Sequence, residues 1–328
     1  MLNLKSIFHK LDHFLLLLIL VVVLASLFPC QGTYRTFFEH LTNFAVALLF
    51  FMHGAKLSRQ AILNGIGHWR LHLTIFSATF ILFPVLGLGL QVFVPDYLSP
   101  TLYLGFLYLC ALPATVQSAI AFTSIAKGNI AAAICSAAAS SVLGIFLSPI
   151  LVGLLMYTQN NGGQNTFDAI IAIMYKLLLP FVLGHLCRPI LLHWIEKYRK
   201  MISQTDQSSI LLVVYTAFSD AVSNGIWQKV DLLGFVSIII YSLVILTIVL
   251  LITTYGARAL GFNKEDEITI VFCGSKKSLA NGIPMANVLF PAATVGIMVL
   301  PLMIFHQLQL MVCAVLAARY AKRQLTHD

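Results

Sequence analysis

The stretch Cys273–Pro284, CGSKKSLANGIP, sets two adjacent lysines, Lys276 and Lys277, inside an otherwise apolar segment. A charged lysine at the centre of a membrane span costs ~2.5–3.5 kcal/mol. Both lie about ten residues from either end of the segment, which makes snorkelling to an interface hard. Consecutive helical positions point ~100° apart, so the two share a cavity only if the helix is broken there. Gly274, Gly282 and Pro284 loosen that helix, and Ser275, Ser278, Asn281 and Asn287 supply hydrogen-bonding groups. The stretch from Cys110 to Asn129, CALPATVQSAIAFTSIAKGN, has the same character. Pro113 removes a backbone donor, while Thr115, Gln117, Ser118, Thr123 and Ser124 offer hydroxyls and an amide. Two such segments meeting mid-membrane would make a polar crossing in an apolar wall. The competing reading of each hydroxyl is ordinary packing between helices. Further candidates are Ser136 and Ser140, which share a helix face at i, i+4, and His306–Gln307. Asp220 reads as an interfacial acid or as a counter-ion for a lysine; His53 and His185 read as hydrogen-bonded packing residues.

The rest of the chain must position these residues. Of 328 residues, 59% are hydrophobic and 10% charged, against roughly 25% charged in a soluble domain. Runs such as FLLLLILVVVLASLF do not alternate as a membrane β-barrel strand does, so the class is all-α integral membrane protein. Ten apolar segments are long enough to span: 11–28, 41–57, 70–93, 103–126, 130–157, 170–190, 208–225, 233–258, 267–290 and 293–318. The first is expected to be retained, since SLFPCQG offers no cleavage site of the A-x-A kind.

With a cytoplasmic N-terminus, fifteen lysines and arginines fall on the cytoplasmic side and two, Arg35 and Lys229, on the other; Lys176, Lys276 and Lys277 lie within spans, completing the 20. Such asymmetry sets orientation and places both termini in the cytoplasm. The formal charge of +8 therefore serves topology, and nucleic acid is not expected as a partner. The cysteines, at 30, 110, 135, 187, 273 and 313, have no metal-ligand spacing and read as small packing residues.

The second half echoes the first. Pro113 and Lys276 stand about 163 residues apart in segments that are alike in being interrupted and polar, the sequence pointer to a transporter binding site at a repeat interface. Five spans per repeat is odd, so the halves, 1–158 and 159–328, are expected to be inverted relative to one another.

These segments resemble the bile-acid/sodium symporter family, through CALPATVQSAIAFTSIAKGNIAAAICSAAASSVLGIFLSPILVG, FCGSKKSLANGIPMANVLFP, LLFFMHGAKLS and LPLMIFHQLQLMVCAVLA. The likeness is closest to bacterial members and to the orphan seventh-member branch of the vertebrate carriers. It implies ten helices in two inverted repeats, with helices four and nine discontinuous and crossing. It also implies a core domain of helices 3–5 and 8–10 beside a panel domain of helices 1, 2, 6 and 7. Of the family's helix-four motif only Pro113 and Ser118 are matched; Ser136 and Ser140 match its paired sodium-binding hydroxyls on helix five. On helix nine Phe272 stands near the family's Glu, Gly274 matches its Gly, and Lys276–Lys277 occupy its Gln-Asn positions.

A lysine ammonium thus stands where the resemblance places sodium. The expectation is a secondary active transporter of the inner membrane, in contact with membrane lipids, carrying a small organic anion by alternating access. Coupling would be to sodium, to a proton carried by a lysine, or to neither, with no other cofactor. The alternatives are an uncoupled anion pathway and a ligand-sensing regulator linked to ion homeostasis, which a tail as short as RYAKRQLTHD disfavours. An enzyme is not expected, because no nucleophile–base pair, metal spacing or nucleotide loop appears.

Overall fold

A computed structural model describes residues 13–56, 68–157, 166–225 and 232–324. Lys5, Lys10, Arg59 and Lys229 of the charge asymmetry lie outside the described residues, as does the boundary at 158/159. The described residues are mostly helical and contain no strand. In chain order the helices are α1 (His13–Leu27), α2 (Thr33–Lys56), α3 (Trp69–Ser77), α4 (Phe83–Gly89), α5 (Pro100–Ala111), α6 (Gln117–Ile125), α7 (Ile130–Tyr157), α8 (Thr166–Lys197), α9 (Arg199–Ser223), α10 (Leu232–Ala259), α11 (Lys264–Gly274), α12 (Leu279–Leu289) and α13 (Ala292–Gln324). A helix satisfies every interior backbone group within its own segment, which is what an apolar solvent demands.

Five helical stretches among the described residues are long and apolar enough to cross a membrane: Trp69–Phe93, Ile130–Met156, Leu178–Lys197, Leu232–Ala259 and Ala292–Lys322. Leu16–Leu27 and Pro100–Ala111 are shorter apolar helices. The segments expected at 103–126 and 267–290 fall short as single helices because each is broken in the middle. The polar link between the sixth and seventh segments is itself helical, with α8 ending at Lys197 and α9 beginning at Arg199.

The chain forms two compact units. The first holds α1, α2, α8 from Pro180 onward, α9 and residues 290–296. In it α9 packs on α1 and α2. Gly54 and Gly184 let α2 and α8 approach backbone to backbone: a Cβ on Gly54 would meet the Phe181 carbonyl oxygen, and one on Gly184 that of Phe51, each at 1.9 Å. Small residues permit this closeness in membrane helices. Arg35 pairs with Asp220 at 2.8 Å and Lys56 with Asp206.

The second unit holds α3 to α7, the first part of α8, α10 to α12, and α13 from Ile297. Its core brings α11 against α3, α6, α7 and α10. Asn263 caps α11, its side chain accepting from Asp266 N at 2.8 Å, with Glu265, Asp266 and Glu267 in the first turn, where acids complement the helix dipole. Ser99 and Pro100 start α5 in the same way, the Ser99 hydroxyl accepting from Leu102 N. Both interrupted segments lie in this unit.

Candidate functional site: a lysine-filled crossing of broken helices

The break after α5 begins at Leu112, whose extended backbone (φ −78°, ψ 156°) is what a residue preceding proline adopts. Pro113 has no N–H to continue the helix. The N–H of Ala114 turns away to the Ser140 hydroxyl on α7, 3.1 Å off, so the Cys110 carbonyl loses its helical partner, and Leu112 lies beyond the end of the helix. The Pro113 ring fits because α7 carries Gly144 there; a Cβ on that glycine would lie 2.5 Å from Pro113 Cβ.

A third carbonyl is orphaned between α3 and α4. Residues Ala78–Leu82 form a π-helical turn in which Phe83 N–H bonds the Ala78 oxygen. The nitrogen that would serve Thr79 in that register belongs to Pro84, which has no hydrogen. Lys277 answers all three. Its Nζ donates to the carbonyls of Thr79 (2.8 Å), Cys110 (2.8 Å) and Leu112 (2.6 Å), and it lies 4.2 Å from the centroid of the Phe83 ring. Three acceptors require three hydrogens, so this geometry is that of an ammonium. Charge-assisted bonds of this kind contribute ~1.5–3 kcal/mol each, against a desolvation cost of several kcal/mol for a fully buried cation.

The break between α11 and α12, Ser275–Ser278, holds Lys277 in place. Gln309 of α13 grips its backbone from both sides: Gln309 Oε1 accepts from Lys277 N and Gln309 Nε2 donates to Lys277 O, both at 2.9 Å. His306 Nδ1 sits 2.8 Å from Gln309 Nε2. The two breaks join directly, Ser278 N–H donating to the Pro113 carbonyl at 2.9 Å. Tyr108 adds a second tie through its hydroxyl to the Gly282 carbonyl, 2.5 Å away.

Lys276 is equally buried yet sits in a different chemistry. Its Nζ makes no hydrogen bond to an oxygen or nitrogen. It lies 4.0 Å from the centroid of Phe122 and 5.8 Å from that of Phe272, with the thiols of Cys273 and Cys313 as polar neighbours. The helix is broken here, yet the two lysines do not share a cavity: one caps carbonyls, and the other is boxed by aromatic rings.

The remaining candidates divide. Ser278, Pro113, Ser140 and Asn281 join the crossing, Asn281 through Nδ2 to the Ser141 hydroxyl at 3.5 Å. Ser275 and Thr123 are fully buried, and Thr123 lies beside Cys273. Ser136 bonds His72 Nδ1 at 2.7 Å, and Ser118 bonds the Thr115 hydroxyl at 2.7 Å. Gln117 opens α6 with an exposed side chain. Asp220 is taken by Arg35 in the first unit, so its partner is an arginine and not a lysine. His53 and His185 lie within hydrogen-bonding distance of the Leu49 and Gly54 carbonyls. On α13 the working amide is Gln309; Gln307 is only half-buried. Among the described residues no group of three His, Cys, Asp or Glu is placed to hold a metal ion.

Residues 12–322 match the sequence model of the SBF-like CPA transporter family. A protein of Escherichia coli named "Putative symporter YfeH" is 63% identical over 319 residues, covering 97% of this chain and 95% of its own. The sodium/bile acid cotransporter 7 of the rat is 31% identical over 278 residues, covering 83% and 80%. The cotransporter 7-B of Xenopus laevis is 28% identical over 314 residues, covering 93% and 90%.

Proposed function

The chain belongs to the SBF-like CPA transporter family, and from that premise we propose that this multi-pass membrane transporter is a secondary carrier in which Lys277 replaces a bound sodium ion. Its substrate is a small organic anion, moved across the bacterial inner membrane by alternating access. Both termini are cytoplasmic. The repeats are 1–158 and 159–328, related by inversion. The first compact unit serves as the panel and the second as the core; the placement of both broken segments within the second unit supports this assignment.

The observation that carries the reading is the ammonium on three converging carbonyls. Carbonyl oxygens gathered at broken helices are how transporters coordinate sodium, and here the protein supplies the cation covalently. Sodium and the Lys277 ammonium cannot occupy one cage together. Lys276 adds a second basic group, and the two favour an anionic substrate because, among the described residues, no acid side chain is bonded to either. The name sodium/bile acid cotransporter carried by some relatives fits a carrier of organic anions, while Lys277 in the carbonyl cage argues against sodium dependence in this chain.

The test is thermal stability of the purified protein in sodium or choline chloride at equal ionic strength, for the native chain and for Lys277→Gln. A ligand at 100 times its dissociation constant stabilises by ~2.7 kcal/mol. The native protein should melt at the same temperature in both salts, and the variant should gain a sodium-dependent rise. Sodium stabilisation in the native chain that persists in the variant would sink the reading.

A further inference from the structure

A groove of about 680 Å³ runs along the outside of the second unit between α10 and α13. From α10 it is lined by Leu251, Tyr255 and Arg258, and from α13 by Met311, Val315 and Arg319, among others. Its walls are apolar and open: Leu251 is 50%, Met311 62% and Val315 57% exposed. From Thr247 to Arg258 the α10 wall rises ~17 Å, close to half the ~30 Å hydrocarbon thickness of a bilayer.

Both arginines stand at one end. The Glu267 carboxylate fixes this: it accepts from Arg258 Nε and Nη2, each at 3.1 Å, and from the hydroxyl of Tyr320 at 3.0 Å, so the last turns of α10 and α13 lie level. Arg258 is stacked over the Tyr255 ring at 5.6 Å, with its side chain 45% exposed. Arg319 is exposed and forms no salt bridge among the described residues. Lys264 shares Glu267, and of the neighbouring acids Asp266 is turned onto Asn129 while Glu265 is exposed. The lining itself holds two cations and no acid.

We infer that this groove is a binding site for an anionic glycerophospholipid of the cytoplasmic leaflet. An acyl chain lies along Leu251, Met311 and Val315, and the phosphodiester is held between Arg258 and Arg319. The length matches one leaflet, and guanidinium groups bind phosphate oxygens in paired hydrogen bonds. The basic end is the end that the charge asymmetry assigns to the cytoplasm, where clustered arginines recognise anionic headgroups. The site is distinct from the lysine crossing and does not depend on what the carrier moves.

The experiment uses delipidated full-length protein in mild detergent, with phosphatidylglycerol, phosphatidylcholine or inorganic phosphate added. Bound lipid is read by native mass spectrometry and stability by thermal melting. Phosphatidylglycerol should raise the melting temperature and remain bound. Phosphatidylcholine should bind about fivefold more weakly, and inorganic phosphate should give no shift. Arg319→Gln should abolish the preference for the anionic lipid, and Val315→Trp should block both lipids by filling the groove. Both positions are exposed, so the lipid-free melting temperatures should match the native one, and Val315→Trp decides alone if the arginine variant does not fold. Equal binding of the two lipids, a preference that survives Arg319→Gln, or unchanged lipid retention in Val315→Trp would each overturn the site. A shift with inorganic phosphate equal to that with phosphatidylglycerol would reduce it to an anion contact and overturn it as a lipid site.

Discussion

The backbone N–H of Ser278 donates to the carbonyl of Pro113 at 2.9 Å, tying the break between α11 and α12 to the break between α5 and α6. A broken helix in an apolar medium leaves carbonyls that water cannot reach, each costing several kcal/mol unless partnered. Here each break supplies what the other lacks. The α11–α12 break donates a backbone N–H and the Lys277 ammonium; the α5–α6 break and the π turn before α4 provide the acceptors. The two interruptions form one hydrogen-bonded unit, and losing either leaves the other unsatisfied.

Lys277→Met should therefore be among the most damaging substitutions in the chain. It keeps the volume and removes every donor to the carbonyls of Thr79, Cys110 and Leu112. A buried acceptor without a partner costs ~1–3 kcal/mol, so three imply a loss of at least ~3 kcal/mol. Thermal melting in detergent measures it, and a variant within ~1 kcal/mol of native stability would show that the carbonyl cage is not what the lysine holds together.

Gln309→Leu should loosen the same break from the other side. Its amide makes two hydrogen bonds to the Lys277 backbone, one in each direction, and is itself fully buried. Removing it strands the buried Lys277 N–H and leaves the carbonyl with only the longer contact to His306 Nδ1 at 3.4 Å, a loss of at least ~1–3 kcal/mol. Gln309→Glu should recover only the half in which the side chain accepts from Lys277 N. Equal stability of the two variants would mean that the accepting half contributes nothing.

Gln309 shows where the sequence stops being legible. Gln307 drew attention because it follows His306, yet two residues on a helix are ~200° apart, and it is Gln309 that faces the break. The only sequence signal for Gln309 is that it is an amide within an apolar helix. The composition, the interrupted segments at Pro113 and Lys276–Lys277, and the helical class could all be read directly. The Thr79 carbonyl could not, because the atom that matters is backbone; only Pro84, five residues on, hints that an acceptor is freed. Asp220 was ambiguous for a related reason, since its partner Arg35 is 185 positions away (220 − 35) and pairing at that separation leaves no local pattern.

Gly144→Ala should disturb the seat of the first break without touching any polar group. The added carbon would stand 2.5 Å from Pro113 Cβ and 2.6 Å from its Cγ, and a proline ring cannot swing aside as a long side chain can. Overpacking of this kind costs ~1–3 kcal/mol. Ser140→Ala, which strands the Ala114 N–H instead, should cost a similar amount. The double variant should be less than additive if both act by displacing the Pro113 turn. Strict additivity in melting experiments would mean that the two sites are independent.

Lys276→Met should behave unlike its neighbour, although both side chains are wholly buried. The Lys276 Nζ gives no hydrogen bond to oxygen or nitrogen and is held by the faces of Phe122 and Phe272 beside two thiols. Its removal takes away a ring contact of up to ~2 kcal/mol and the thiol contact at Cys313, but also relieves the burial of a basic group with no acid partner among the described residues, and methionine packs well against aromatic rings. Replacing a buried charge by an apolar residue of similar volume is often neutral or stabilising. The melting temperature of Lys276→Met should therefore equal or exceed that of the native chain, while Lys277→Met falls well below it. That outcome would point to a role for Lys276 outside the fold's stability. Should the two methionine variants be destabilised alike, Lys276 would be a structural cation of the same kind as Lys277, and the division of labour between them would be wrong.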